Sequence, residues 1–129
     1  MEIPPRPTLL RSFFYAGRGL AEAFRTQRNL RVQLAAAVAA VALGVALRLS
    51  AVEFAIIVLT IGMVLVAEML NTVAEAIVDL ATETYHPLAR TAKDVAAGAV
   101  LLSAIVAVIV ALFVYLPHLS LLARSLQGR

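Results

Sequence analysis

From Val95 to Leu116 the chain carries no Asp, Glu, Lys or Arg. Such a run is hard to place in water. About 20 apolar residues are enough to cross the hydrocarbon layer of a bilayer as a helix. A second apolar run is centred on Leu34–Leu47 and closed by Arg48. A third starts near Ala51, is uncharged from Phe54 to Ala67, and keeps a helical pattern to about Leu80. Lipid leaves backbone groups without water to bond, so only helices or closed barrels span it. The sequence therefore predicts an all-α membrane protein. Its spans are expected at about 30–48, 51–80 and 94–116, with Pro117 ending the last, and the whole chain 1–129 forms one domain.

Composition excludes most alternatives. Hydrophobic residues make up 62% of the chain and charged residues 15%, with no Cys; mean hydropathy is +0.92. A soluble domain is roughly 45–50% apolar and about 25% charged. Disorder fails on the same numbers, and thiolate metal sites and disulfides fail for want of cysteine. The net charge of +3 does not point to nucleic acid, because the basic residues flank apolar runs as they do in membrane proteins.

Leu9–Phe24 reads as an amphipathic helix, expected at about 9–25. Leu10, Phe13, Phe14, Gly17, Leu20, Ala21 and Phe24 recur at spacings of three and four, with Arg11, Arg18 and Arg25 every seven residues on the other side. That pattern suits a helix lying in the headgroup plane. Arg6, Arg11, Arg18, Arg25, Arg28 and Arg31 precede the first span, and Arg90 and Lys93 lie between spans two and three; Arg48, Arg124 and Arg129 fall on the other side. The excess of cations places the N-terminus in the cytoplasm and the C-terminus outside, across a cell membrane.

The most informative stretch closes span two. Glu68, Asn71, Thr72, Glu75 and Asp79 fall within about 100° of one helical face. An Asp at a span centre costs roughly 2.5–3.5 kcal/mol on insertion scales, so an acidic face needs a seam, a wet cavity or a cation beside it. Glu68 and Glu75 are about 10 Å apart along the axis. They are too far apart to share one small cation easily, but could bracket a phosphate. One would act on an acceptor hydroxyl and the other on Mg²⁺, which favours oxygen ligands and substrate phosphates.

The segment Thr82-Glu-Thr-Tyr-His-Pro87 breaks the helix, since the residue before proline disfavours the α region. Lys93 and Asp94 then stand near the start of span three, where a helix N-terminus favours anions. Ala92, Ala96, Ala99, Ser103, Ala107 and Ala111 form a small-residue ridge that permits close helix contact in lipid. Three thin helices cannot enclose a polar site alone, so a homo-oligomer is expected. No glycine-rich phosphate loop or soluble-kinase signature is present.

Glu68-Met-Leu-Asn-Thr-Val-Ala-Glu-Ala-Ile-Val-Asp79, with Tyr85-His-Pro-Leu-Ala and Ala92-Lys-Asp-Val-Ala-Ala-Gly-Ala-Val100 downstream, resembles the prokaryotic diacylglycerol kinase / undecaprenol kinase family over about Phe13–Val114. The resemblance implies a trimeric membrane lipid kinase with composite sites near the cytoplasmic interface, transferring the γ-phosphoryl of Mg-ATP to a lipid alcohol. By position it implies Glu68 as the catalytic base, Asn71 as its polar neighbour on the substrate side, and Glu75 as a metal-binding carboxylate. It places Tyr15, Thr84, Tyr85, His86, Lys93 and Asp94 at the nucleotide. Three positions depart from the family pattern. Gln27 stands where a second metal-binding Glu is frequent, Thr84 where an acid is common, and Thr8 where some members carry an Arg near ATP, a role open to Arg6 or Arg11. The flanking motifs favour undecaprenol as acceptor, with diacylglycerol as the alternative. An intramembrane acid alone would equally suit a proton- or cation-conducting oligomer.

Overall fold

The computed structural model describes residues 8–82 and 84–127; Arg6 and Arg129, two of the cations that set the expected orientation, and Glu83 lie outside the described residues. Four helices follow one another: α1 Leu9–Thr26, α2 Arg28–Ala46, α3 Ala51–Ala81 and α4 Pro87–Gln127. The last three are each long and apolar enough to cross a membrane. α3 packs against both α2 and α4, and its seam with α4 is the more extensive. α1 contacts α2 only lightly and buries no residue.

Local chemistry explains the turns. α2 ends in a Schellman arrangement, with Leu49 N donating to Gly44 O and Arg48 N to Val45 O. Arg48 occupies the left-handed position that usually goes to glycine, at φ 55°. Gly44 lies in a close approach: a Cβ there would sit 3.0 Å from Leu49 Cδ1 and 3.2 Å from the Phe54 ring, so those side chains would have to shift. α3 then starts with a capping box. Ser50 Oγ accepts from Glu53 N, and Glu53 Oε2 accepts from Ser50 N at 2.8 Å. This satisfies two of the orphan donors of a helix N-terminus reciprocally.

Pro117 does not end the third span, contrary to the sequence expectation. α4 continues through it to Gln127. A proline inside a helix removes one N–H and leaves one carbonyl, that of Phe113, without its usual donor. Membrane helices tolerate this where neighbouring groups compensate. The residues beyond it, His118-Leu-Ser-Leu-Leu-Ala-Arg-Ser-Leu126, are mostly compatible with a helix. Ser120 Oγ also donates to Pro117 O at 2.8 Å. At its other end α4 starts at Pro87, about seven residues before the expected span. Proline suits the first helical position, where its missing N–H is no loss.

The buried core is small. Ile57, Val114 and Tyr115 form it, flanked by Ala40, Leu47, Leu49, Ile61, Val110 and Ala111. Large apolar side chains such as Leu59, Val66, Leu101, Val108 and Phe113 are exposed. That much apolar surface has no place in water and suits acyl chains or other protomers. Tyr115 OH donates to Ala40 O at 2.8 Å and ties α4 to α2. Hydrogen bonds between membrane helices are worth about 0.6 kcal/mol on average. Tyr115→Phe is therefore expected to cost about 0.5–1 kcal/mol, read as a slightly lower thermal unfolding midpoint in detergent micelles with activity retained.

Candidate functional site

The α3 stripe divides into a buried part and a rim. Glu68 is only 3% exposed. Its Oε2 accepts from Gln33 Nε2 of α2 at 3.0 Å, and Thr72 Oγ1 donates to the Glu68 backbone carbonyl. One turn on, Asn71 Nδ2 donates to Glu75 Oε1 at 3.1 Å. Each amide thus holds one acid with its N–H. The other ends of those amides, Gln33 Oε1 and Asn71 Oδ1, are buried and unpartnered. Buried carbonyl oxygens without a donor are uncommon and call for an explanation. Each of the two amide–acid pairs therefore keeps one buried acceptor, and what each lacks is a donor or a cation.

Gln33 also caps an apolar cleft of about 240 Å³ between α2, α3 and α4. Its walls are Ala36, Ala37, Ala40, Ile57, Ile61, Val64, Leu65, Ala104, Ala107 and Ala111, with Thr60 and Tyr115 the other polar side chains. Both of those hydroxyls are already committed, Thr60 to Ile56 O and Tyr115 to Ala40 O. Ala107 and Ala111 of the small-residue ridge therefore face this cleft inside the chain.

The rim lies farther along α3. A hollow of about 420 Å³ is lined by Val78, Asp79, Thr82, Thr84, Tyr85, His86, Ala89, Arg90, Lys93 and Asp94. It gathers five of the six residues expected at the nucleotide: Thr84, Tyr85, His86, Lys93 and Asp94. Lys93 Nζ is ion-paired with Asp79, and Arg90 with Asp94 at 3.7 Å. Exposed pairs of this kind add little stability, so they can yield to a stronger anion. His86 has a structural part as well. Its Nδ1 accepts from Leu88 N at 3.2 Å, which caps the first turn of α4 and leaves Nε2 as the protonated nitrogen of the neutral ring. Thr82 and Thr84 bond to one another across the break.

Two expected residues are not brought to either part. Tyr15 sits on exposed α1 with its ring edge-on to Phe14 at 6.0 Å. Gln27 forms the junction of α1 and α2, where its side chain does not cap α2. Two residues that the sequence patterns do not single out do belong. Gln33 is a single amide in an apolar run, and no local pattern marks it. Arg90 reads in the sequence as a topology-setting charge, though its place three residues before Lys93 puts both on one side of α4.

The oxygen donors fit a hard cation in part. Glu75 and the free Asn71 carbonyl supply two, and among the described residues no group of three or more His, Asp or Glu could hold a metal unaided. Mg²⁺ is commonly held by one or two carboxylates, its remaining positions filled by water and substrate phosphate. A two-donor set of this kind matches that habit.

Comparisons with known proteins show the family. The prokaryotic diacylglycerol kinase family model matches residues 14–115. The chain is 47% identical over 109 residues to the undecaprenol kinase of Bacillus subtilis, covering 84% of this chain and 89% of that protein. It is 48% identical over 114 residues to a diacylglycerol kinase of Synechocystis, covering 88% of this chain and 65% of that longer one. It is 32% identical over 101 residues to the diacylglycerol kinase of Escherichia coli, covering 78% and 83%.

Proposed function

Since the chain belongs to the prokaryotic diacylglycerol kinase family and is a lipid kinase, we propose that it transfers the γ-phosphoryl group of Mg-ATP to the hydroxyl of undecaprenol. The conducting-oligomer alternative gives way to the kinase assignment. One observation carries the reading: an almost fully buried carboxylate, Glu68, held by the Gln33 amide that caps an apolar cleft. A lipid chain laid in that cleft would bring its terminal hydroxyl to Gln33, whose amide touches the carboxylate.

The cleft also supports the choice of acceptor. Apart from Gln33 its polar side chains are bonded within the protein. A polyprenol has only hydrocarbon behind its hydroxyl and needs no further partner. Diacylglycerol would bring two ester groups, whose carbonyls would find no free donor there, and polar groups buried without partners are costly.

In this reading Glu68 accepts the proton of the lipid hydroxyl as the oxygen attacks the γ-phosphorus and ADP leaves. Lys93 faces the phosphates from the rim. Asn71 holds the Glu75 carboxylate. Glu75 and Asn71 would hold Mg²⁺, with Gln27 as a further neutral ligand from another protomer. When bound, the ion would offset charge on the β- and γ-phosphates. Phosphoryl transfer needs mostly positioning and electrostatics, so a small scaffold suffices. Tyr15 and Gln27 lie away from their expected partners within one chain, which supports a homotrimer with sites shared between subunits. The apolar side of α1 rests in the headgroup layer, and the N-terminus and the 82–86 break face the cytoplasm, in keeping with the cation count.

The deciding assay gives purified protein in mixed micelles Mg-ATP with undecaprenol or diacylglycerol. Undecaprenol is expected to give at least about tenfold higher kcat/KM, the scale that one unpaired buried polar group supports. A preference for diacylglycerol would overturn the choice of acceptor. The metal is tested separately. Glu75→Gln is expected to raise the Mg²⁺ concentration for half-maximal rate about tenfold, because a charged oxygen ligand becomes neutral, and Gln27→Glu is expected to lower it. Titration of activity with Mg²⁺ reads both.

A further inference from the structure

Gln33 stands apart from the acidic stripe in the sequence, 35 residues from Glu68, yet it is the side chain that touches the Glu68 carboxylate from another helix. We infer that Gln33 is a positioning residue for the base: its amide N–H fixes the Glu68 carboxylate, and its unpartnered carbonyl marks where the acceptor's hydroxyl hydrogen enters. The inference deepens the lipid-kinase reading and rests on it.

Three observations point the same way. The Gln33 Nε2 to Glu68 Oε2 bond is 3.0 Å long and joins α2 to α3. A carboxylate can otherwise swing about its terminal torsion, which is broad rather than staggered; one fixed oxygen leaves the other aimed. Gln33 Oε1 is buried with no partner, so the amide is satisfied on one side only. And Gln33 is the polar cap of the apolar cleft. Glu68 does not line the cleft itself, so a hydroxyl arriving along it reaches Gln33 first, and through Gln33 the carboxylate that the amide holds. It can donate to the amide on entry and to Glu68 as the reaction starts. An amide suits this position better than a second carboxylate, since it donates to one group and accepts from another without adding negative charge.

The test compares Gln33→Met, of similar volume but without the N–H, with Gln33→His, which keeps a ring N–H at similar reach. In the mixed-micelle assay Gln33→Met is expected to lower kcat about tenfold, the scale of one hydrogen bond to a charged group. KM for Mg-ATP should stay within about twofold, while the thermal midpoint falls slightly, as on loss of one inter-helix hydrogen bond. Gln33→His should recover most of the rate. A kcat unchanged in Gln33→Met would overturn the inference, as would a parallel loss of kcat, ATP affinity and thermal midpoint, or a His variant no better than Met. Glu68→Gln, run alongside, separates this from the underlying reading. If it is inactive while Gln33→Met keeps the full rate, only the role of Gln33 fails. If it stays active, the assigned base and the inference fail together.

Discussion

Glu68→Gln is expected to lower the rate of lipid phosphorylation by about three orders of magnitude while Mg-ATP still binds. General bases contribute about 10²–10⁴-fold, and a side chain buried to 3% exposure has no water beside it to take over. The substitution keeps shape and volume, and it replaces the oxygen that accepts from Gln33 or its partner with an amide. The fold should therefore survive, since burying an amide costs less than burying a carboxylate. Its thermal midpoint is expected to hold or rise. Nucleotide affinity should change little, because in this reading the nucleotide is held by the rim hollow and the metal rather than by Glu68. A rate within tenfold of the parent would remove Glu68 from the chemistry.

Lys93→Met is expected to cost about 100-fold in kcat/KM for Mg-ATP, the scale of removing one preorganised charge from a developing anion. In the resting structure Lys93 is paired with Asp79, both side chains being partly exposed. The phosphate must therefore compete with a weak ion pair, which it can do because it carries more charge than one carboxylate. Asp79→Asn then makes a useful control: releasing Lys93 should strengthen nucleotide binding or leave it unchanged. Arg90, on the same side of α4 and held by Asp94 at 3.7 Å, is the natural source of any residual activity. Initial rates over a range of ATP at saturating lipid read both variants. Full activity in Lys93→Met would move the phosphates away from the rim.

Three spans and the acidic face are legible in the sequence because both are properties of single helices. Uncharged length predicts a crossing, and offsets of three, four and seven place Glu68, Asn71 and Glu75 on one side whatever they pack against. The helix break before Pro87 is equally local. The extent of α4 is not legible in the same way. Pro117 removes one hydrogen bond, and whether a helix survives that depends on the residues beyond it and the groups around it.

The contacts that make a site out of the stripe lie between helices. Gln33 meets Glu68 across 35 residues, Tyr115 meets Ala40 across 75, and His118 meets Glu53 across 65. Each depends on how far one helix is rotated and slid against the next, which Gly44 and the alanines of α2 permit but no periodicity specifies. Residue order was sufficient for which side chains share a helix face, since the 3.6-residue turn is set by the backbone. Which faces meet, and so which amide holds the base, followed from close packing of three helices, an arrangement that exists only once they are assembled.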